Sequence, residues 1–377
     1  MFRVPTVFIL GAGASWHYGY PTGEALVKRV VEKADLAANF FDNSIQTHNE
    51  LLPEYLADAI KTCDQANVAA VWKKGLDEVH ELQSGLEQVN PLVIDYYLGW
   101  NSKLRDIGRL LIAWVILECE YNSRNGTNAN RPMPERKTAE DNWCRFITHQ
   151  LAIYCRESKD LLSNRVSFIT FNYDVSLERT LRNSLKHIKL FSDEDIKVFL
   201  SGSRIVHVYG RVRDVDAHAD WPLAAMENLD PRTLTAHSRA KYQQAMKNTL
   251  DIVYKASRGL RVIDPHDKGT NDHELTIART AIGNAKRIFI LGYGFDQENS
   301  DRLNLREYLR HTMSPGFSSV AFTNYEDRGQ VNKRASKVFY GAIAPEILAN
   351  GHTLVSRYEK SVRNTYDALA WDFDLSE

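Results

Sequence analysis

The segment Val7-Phe-Ile-Leu-Gly-Ala-Gly-Ala-Ser15 constrains the fold more than any other part of this chain. Four consecutive large apolar residues, Val7 to Leu10, read as a β-strand buried on both faces. Such a strand needs cover on each side of its sheet and so points to parallel α/β architecture. Gly11 and Gly13 let the chain turn sharply with its amides toward a ligand. A helix is predicted next: Thr22 can cap it, Glu24 suits its positive start, and Leu26, Val27, Val30 and Val31 recur on one face. Strand, glycine turn and helix in this order place a pyrophosphate near exposed amides. Trp16 stands where the third glycine of G-x-G-x-x-G would be, so the turn alone also fits a tight turn of any α/β protein.

The segments 165–174, 204–210, 287–295 and 319–325 repeat the theme, each an apolar run that ends in glycine or polar residues. They predict a doubly wound, Rossmann-like parallel α/β sheet whose strand ends line a ligand crevice, with helices such as Asp272 to Asn284 between strands. The stretch before Arg165 is too long for a loop and rich in helical patterning. Residues 43–159 are therefore assigned as a large helical insertion into a nucleotide-binding domain formed by 1–42 and 160–377. Its clearest helix, Arg105 to Glu120, is apolar nearly all round and thus central to the insertion, while the polar run Tyr121 to Pro132 reads as a surface loop.

Composition removes other classes. Among 377 residues, 47 Lys and Arg nearly balance 48 Asp and Glu, which gives no overall attraction to nucleic acid or to membrane surfaces. The apolar run Val4 to Leu10 is too short for a signal or a membrane span, and Leu110 to Leu117 reads as a core helix. Cys63, Cys119, Cys144 and Cys155 lack Cys-x-x-Cys pairing, so reduced thiols, a cytoplasmic location and no structural metal are expected.

Several motifs fall in a familiar order. Gly11-Ala-Gly-Ala-Ser15, followed after three residues by Gly19-Tyr-Pro21, resembles the GAGIS-xxx-GIP of sirtuins, and Thr170-Phe-Asn-Tyr-Asp174 resembles their T-Q-N-I-D. Ile290 to Phe295 resembles the sirtuin strand ending in Gly-Thr-Ser, and Phe322-Thr-Asn-Tyr325 the I-N-x-E strand that meets the adenosine. The resemblance spans the sheet-forming sequence and not the insertion. Sirtuin deacylases carry a four-cysteine zinc module and D-F-R after G-I-P, whereas here Thr22-Gly-Glu24 follows and the cysteines are scattered. The combination is similar to the sirtuin-like NAD-hydrolase domains of bacterial antiphage defence systems.

That resemblance implies an NAD+ glycohydrolase that cleaves NAD+ to nicotinamide and ADP-ribose without a metal. It also implies an abortive-infection effector that works as a homo-oligomer with a partner such as a hexameric ATPase, a DNA translocase or another phage-sensing protein. Two alternatives stay open: a sirtuin-like deacylase or ADP-ribosyl transferase, and a sensor that binds NAD or ADP-ribose without cleaving it.

The chemistry asks for particular groups. Cleavage of the nicotinamide–ribose bond passes through an oxocarbenium-like state with a leaving group that is already cationic, so the enzyme needs to position, desolvate and deliver water. By the resemblance, Asn172 holds the ribose or the attacking water. Asp174 meets the nicotinamide side, holds Asn172 and its loop, or simply caps the helix starting near Val175. Gly11, Ala12 and Gly13 cradle the pyrophosphate with Pro21 in the same motif, Ser15 contacts phosphate or caps a helix, and Gly292 and Asn324 meet the adenosine ribose or form strand-end turns. Sirtuins carry their catalytic histidine directly before a glycine; here Tyr209 fills that slot and His207 lies two residues earlier. Alternation puts both on one strand face, and the imidazole titrates nearer neutrality, so His207 is the expected base with Tyr209 as a ligand contact. The alternative is a buried core histidine. Asp264-Pro-His266 reads more readily as a solvated turn than as a metal or acid–base pair, and Asp95 more readily as a helix cap than as a group pointing from the insertion into the pocket.

Overall fold

The computed structural model describes residues 1–61, 67–125, 143–213, 221–226, 235–262, 272–307, 319–324, 329–340 and 355–359. Every residue of β1 (Thr6–Leu10) is buried, as an apolar run flanked by neighbours on both edges requires. Its neighbours are β2 (Val166–Thr170) and β4 (Arg287–Leu291), both parallel to it. Outward from these lie β3 (Ile205–His207) beyond β2, then β5 (Ser319–Asn324) and β6 (Val355–Glu359) beyond β4. The sheet has six strands in the order β3-β2-β1-β4-β5-β6. The chain starts in the middle, winds out to β3, returns and winds the other way, so the order reverses between β1 and β4. In doubly wound sheets the crevice at the carboxyl ends of the strands beside such a reversal is where ligands bind.

Register is held by rings. Phe8 lies opposite Phe168 on β2 and Phe289 on β4, and the three stack with centroids 5.4 and 5.2 Å apart and interplanar angles near 20°. Each such pair contributes roughly 0.5–1.5 kcal/mol beyond its buried area. Three helices supply the cover for this face of the sheet: α7 (Trp143–Ala152), α8 (Ser176–His187) and α9 (Asp193–Leu200). Phe146, Ile147, Leu181, Leu185 and Phe199 from them share one core with Phe8, Phe168 and Phe289. Among the described residues, the sheet unit also holds the single turn α1 (Ala12–Ser15), α11 (His273–Asn284) capped by the Asp272 side chain, α12 (Gln297–Arg302) and α13 (Gly329–Tyr340).

At the amino ends of the central strands, Asn164 forms a buried knot. Its Oδ1 accepts from the Phe2 amide at 2.7 Å, and its Nδ2 donates to the carbonyls of Leu151 (3.1 Å) and Leu161 (3.0 Å). Arg204 closes the knot from outside by donating to the carbonyls of Asn164 and Leu162.

The contacts divide the chain into a sheet unit, 1–19, 131–208 and 266–377, and a helical unit, 20–130 and 209–265. The boundaries differ from those expected at 42 and 160. The helix after the glycine turn, α2 (Gly23–Gln46), belongs to the helical unit, where its apolar face packs on α4 (Val68–Val89) and α6 (Arg105–Asn125). Phe40 and Phe41 of α2 meet Trp72 of α4 at 5.5 and 5.4 Å. The same unit holds α3 (Glu54–Lys61), α5 (Ile94–Trp100) and α10 (Ala236–Ser257). Conversely, α7 was assigned to the insertion and belongs to the sheet unit, because Trp143, Cys144, Phe146, Ile147 and Leu151 all enter the core around Phe8.

As expected, α6 is central to the helical unit: Leu110 to Leu117 are all buried. It continues through Tyr121 to Asn125, where a loop was expected, and the rest of that polar run lies outside the described residues. Thr22 stands at the start of α2 with extended backbone, but its hydroxyl makes no capping bond. Among the described residues no helix is long and apolar enough to cross a membrane.

Candidate functional site

The glycine turn is built by backbone meeting backbone. As β1 ends, the Gly11 amide donates to the Leu291 carbonyl (3.0 Å), the Gly13 amide to Gly292 (3.0 Å) and the Ala14 amide back to Gly11 (2.9 Å). A Cβ on Gly11 would lie 2.5 Å from the Gly292 oxygen, and one on Gly13 would lie 2.8 Å from the Gly292 Cα. The glycines are therefore required by the close approach of the β1 and β4 ends. The amides of Gly11 and Gly13, expected to face a ligand, are taken up inside the fold instead, as is that of Ala14. Gly292 itself has φ +59° and packs on this turn, with its amide donating to Thr323 Oγ1 at 3.1 Å. From α7, the Trp143 indole donates to the Ala14 carbonyl at 3.1 Å and pins the turn's far side. Phe171 and Tyr293, which follow β2 and β4, stack with centroids 5.2 Å apart.

Asn172 follows β2 and is nearly buried. Its Nδ2 donates to the Gly11 carbonyl (3.0 Å) and to Ser15 Oγ (2.9 Å), and its own amide donates to Thr170 Oγ1 (3.0 Å). A carbonyl can only accept, so Gly11 fixes which end of the side-chain amide faces it. Both amide hydrogens are thereby used, and Oδ1 is the end that can meet a ligand, as an acceptor. Ser15 also lies 3.5 Å from Ser176 Oγ. Asp174 accepts from the Ser176 amide at 2.9 Å and from the Ser176 hydroxyl, which makes it the local Asx bridge into α8. Burial pushes the Asp174 carboxyl above the ordinary carboxylate range, against the pull of its bonds to Ser176 and Ser15, while the charge of Glu178 adds to the rise.

His207 ends β3 and is buried beside this cluster. Its Nδ1 is 3.0 Å from the Asn172 main-chain carbonyl and its Nε2 is 2.8 Å from Glu178 Oε1. Glu178, on the first turn of α8 and only 1% exposed, was not singled out from sequence. The signal was there: Leu177, Leu181 and Leu185 mark the buried face of α8, and Glu178 falls on it beside Leu181.

Ser15, Asn172, Asp174 and His207 are thus brought together, with Ser176 and Glu178 added. Tyr209 is not on a strand: β3 stops at His207, Val208 and Tyr209 form a turn, and Gly210 at φ +71° redirects the chain. The expected alternation therefore does not reach Tyr209, which is buried in the helical unit and accepts through its carbonyl from the Arg261 amide. Pro21 and the buried Asp95 likewise belong to the helical unit. Asn324 pairs through its main chain with Glu359 of β6, and its side chain lies outside the described residues, as do Asp264 and His266. A groove of about 460 Å³ between α7 and α8, lined by Arg145, His149, Thr180 and Ser184, contains none of the cluster.

Among the described residues no group of His, Cys, Asp and Glu is arranged to hold a metal ion. Burial pushes the thiols of Cys119 and Cys144 up to about 11 and about 12, and Cys63 lies outside the described residues. No family model, curated protein or solved structure matches this chain.

Proposed function

We propose that the protein binds NAD+ at the carboxyl ends of β1, β2 and β3 and hydrolyses it to nicotinamide and ADP-ribose. The observation that carries this reading is Asn172, whose side-chain amide is anchored to Gly11 and Ser15 just past the end of β1, which leaves Oδ1 as its acceptor end. There it accepts a hydrogen bond from a ribose hydroxyl or from the attacking water, while the buried surroundings limit competing water. Ala12, the first residue of α1, presents its amide at the helix start, where it would meet the pyrophosphate. The leaving nicotinamide is neutral once expelled, so no general acid is needed. The motif resemblance to sirtuin-like NAD hydrolases of antiphage systems supports the same chemistry. It adds a cytoplasmic effector controlled by self-assembly and by a phage-sensing partner such as an ATPase or DNA translocase, since uncontrolled turnover would deplete the host cell.

A second reading, an NAD or ADP-ribose sensor, is favoured by one observation: both ring nitrogens of His207 already face protein acceptors. The experiment incubates purified protein, alone and with its genetic neighbours' products, with NAD+ and measures released nicotinamide. Asn172→Ala should still bind NAD+ while cleavage falls about 100-fold or more. Tight binding of NAD+ by the wild type with no nicotinamide released, even with partner present, replaces the hydrolase by the sensor.

A further inference from the structure

A histidine acting as base must present a lone pair to its substrate. Neither nitrogen of His207 does so. Nδ1 faces the Asn172 carbonyl at 3.0 Å, an atom that only accepts, so Nδ1 carries a hydrogen. Nε2 faces Glu178 Oε1 at 2.8 Å, and that carboxylate stands on a helix anchored in the sheet core by Leu177, Leu181 and Leu185. The ring thus spans from α8 to the Asn172 peptide. From there the restraint passes on, because the Asn172 amide donates to Thr170 and its side chain to Gly11 and Ser15. Thr170 and His207 are themselves partners in the β2–β3 register.

We propose that Glu178 and His207 are positioning residues, which act by fixing the Asn172 peptide and hence the aim of its Oδ1, and that His207 is not the general base. This rests on the hydrolase reading for its kinetic consequences and on geometry alone for its structural one. A misplacement of about 1 Å at a positioned group lowers a rate by about 100-fold. Removing the ring therefore lowers kcat, while the KM for NAD+, set largely at the glycine turn, moves little.

Three variants and one spectrum test it. Glu178→Gln keeps the ring in place, because a neutral imidazole with hydrogen on Nδ1 can accept at Nε2 from the new amide; it should retain activity within about tenfold of wild type. His207→Ala should lose about 100-fold in kcat. The double variant His207→Asn with Glu178→Gln restores an N–H donor in the place of Nδ1, has no base, and leaves no buried carboxylate stranded. It should recover activity to within about tenfold of the Glu178→Gln protein. If it is as inactive as His207→Ala while folded by circular dichroism, His207 is the base and the proposal is wrong. If wild type releases no nicotinamide, the hydrolase reading fails by itself. The wild-type protein then decides the rest by ¹⁵N NMR of labelled histidine, assigned by loss of one signal in His207→Ala. Protonated Nδ1 of His207 at neutral pH sustains the clamp, and an unprotonated Nδ1 overturns it.

Discussion

Replacing Gly292 by alanine tests whether the glycine turn is held by backbone contact. An alanine there must adopt φ +59°, the left-handed region, at roughly 1–2 kcal/mol. Its Cβ would also lie 2.2 Å from the Ala14 nitrogen, 2.4 Å from the Gly13 carbonyl carbon and 2.6 Å from the Gly13 Cα. All three are main-chain atoms, so no side chain can rotate away. The strain is relieved only by moving the turn off β4, which breaks the bonds from Gly13 to Gly292 and from Gly11 to Leu291. At about 0.5–1.5 kcal/mol for each of the two bonds and about 1–3 kcal/mol for overpacking, with the left-handed strain added, the total is roughly 3–8 kcal/mol. For a domain of this size that lowers the melting temperature by roughly 6–30 °C. Gly283→Ala is the matched control, since Gly283 sits in α11 with nothing within 4 Å of an added Cβ. It should be neutral or stabilising by about 0.5–1 kcal/mol. Both are read by thermal melting followed by circular dichroism. A Gly292→Ala protein that melts with the wild type refutes the close approach and the account of the turn built on it.

Two other outcomes are expected. Asn164→Ala removes the side-chain acceptor of the Phe2 amide and the side-chain donors to the Leu151 and Leu161 carbonyls in a buried site, so urea unfolding should show a loss of about 2–4 kcal/mol with an unchanged slope. Asp174→Asn keeps an acceptor for Ser176 and removes a buried carboxylate. Because burial raises this group, the folded state holds its proton more tightly than the unfolded chain does. Its contribution to stability is complete below the ordinary carboxylate value and is lost as pH rises through the raised one. The variant should therefore melt above wild type near pH 8, with the gap closing toward pH 4; an equal or larger gap at pH 4 contradicts the burial account.

Much of the sheet was legible because its strands are continuous apolar runs, as in Val7 to Leu10 and Ile288 to Leu291. The sixth strand, Val355–Glu359, escaped because Val-Ser-Arg-Tyr-Glu is mostly polar, shows no period-2 alternation and carries no such run. The Asn172 and Asp174 motif was visible in sequence. The Asx bridge of Asp174 into α8 was among the readings the sequence offered, whereas the capture of both Asn172 hydrogens does not follow from spacing. The unit boundaries were missed for a related reason. Periodicity shows that α2 and α7 each have an apolar face, but not that Trp72 covers the first and Phe8 gathers the second. Likewise, the turn at Val208 and Tyr209 is set by Gly210, which breaks the alternation assumed to run through it.

The position of β1 at the centre of the sheet sets the order in which its edges can close during synthesis. Its partners are Val166–Thr170 and Arg287–Leu291, so a strand made early waits, with both rows of main-chain hydrogen-bonding groups unpaired, until much of the chain has been translated. At about 5–20 residues per second, that wait lasts on the order of tens of seconds. Throughout it, Val-Phe-Ile-Leu is an exposed strand edge of high β propensity, the kind of segment that recruits chaperones or other nascent chains. Low yield on rapid expression is the expected cost of this topology, and slower translation or added holdase capacity, more than any change to the glycine turn, is what should raise the soluble fraction.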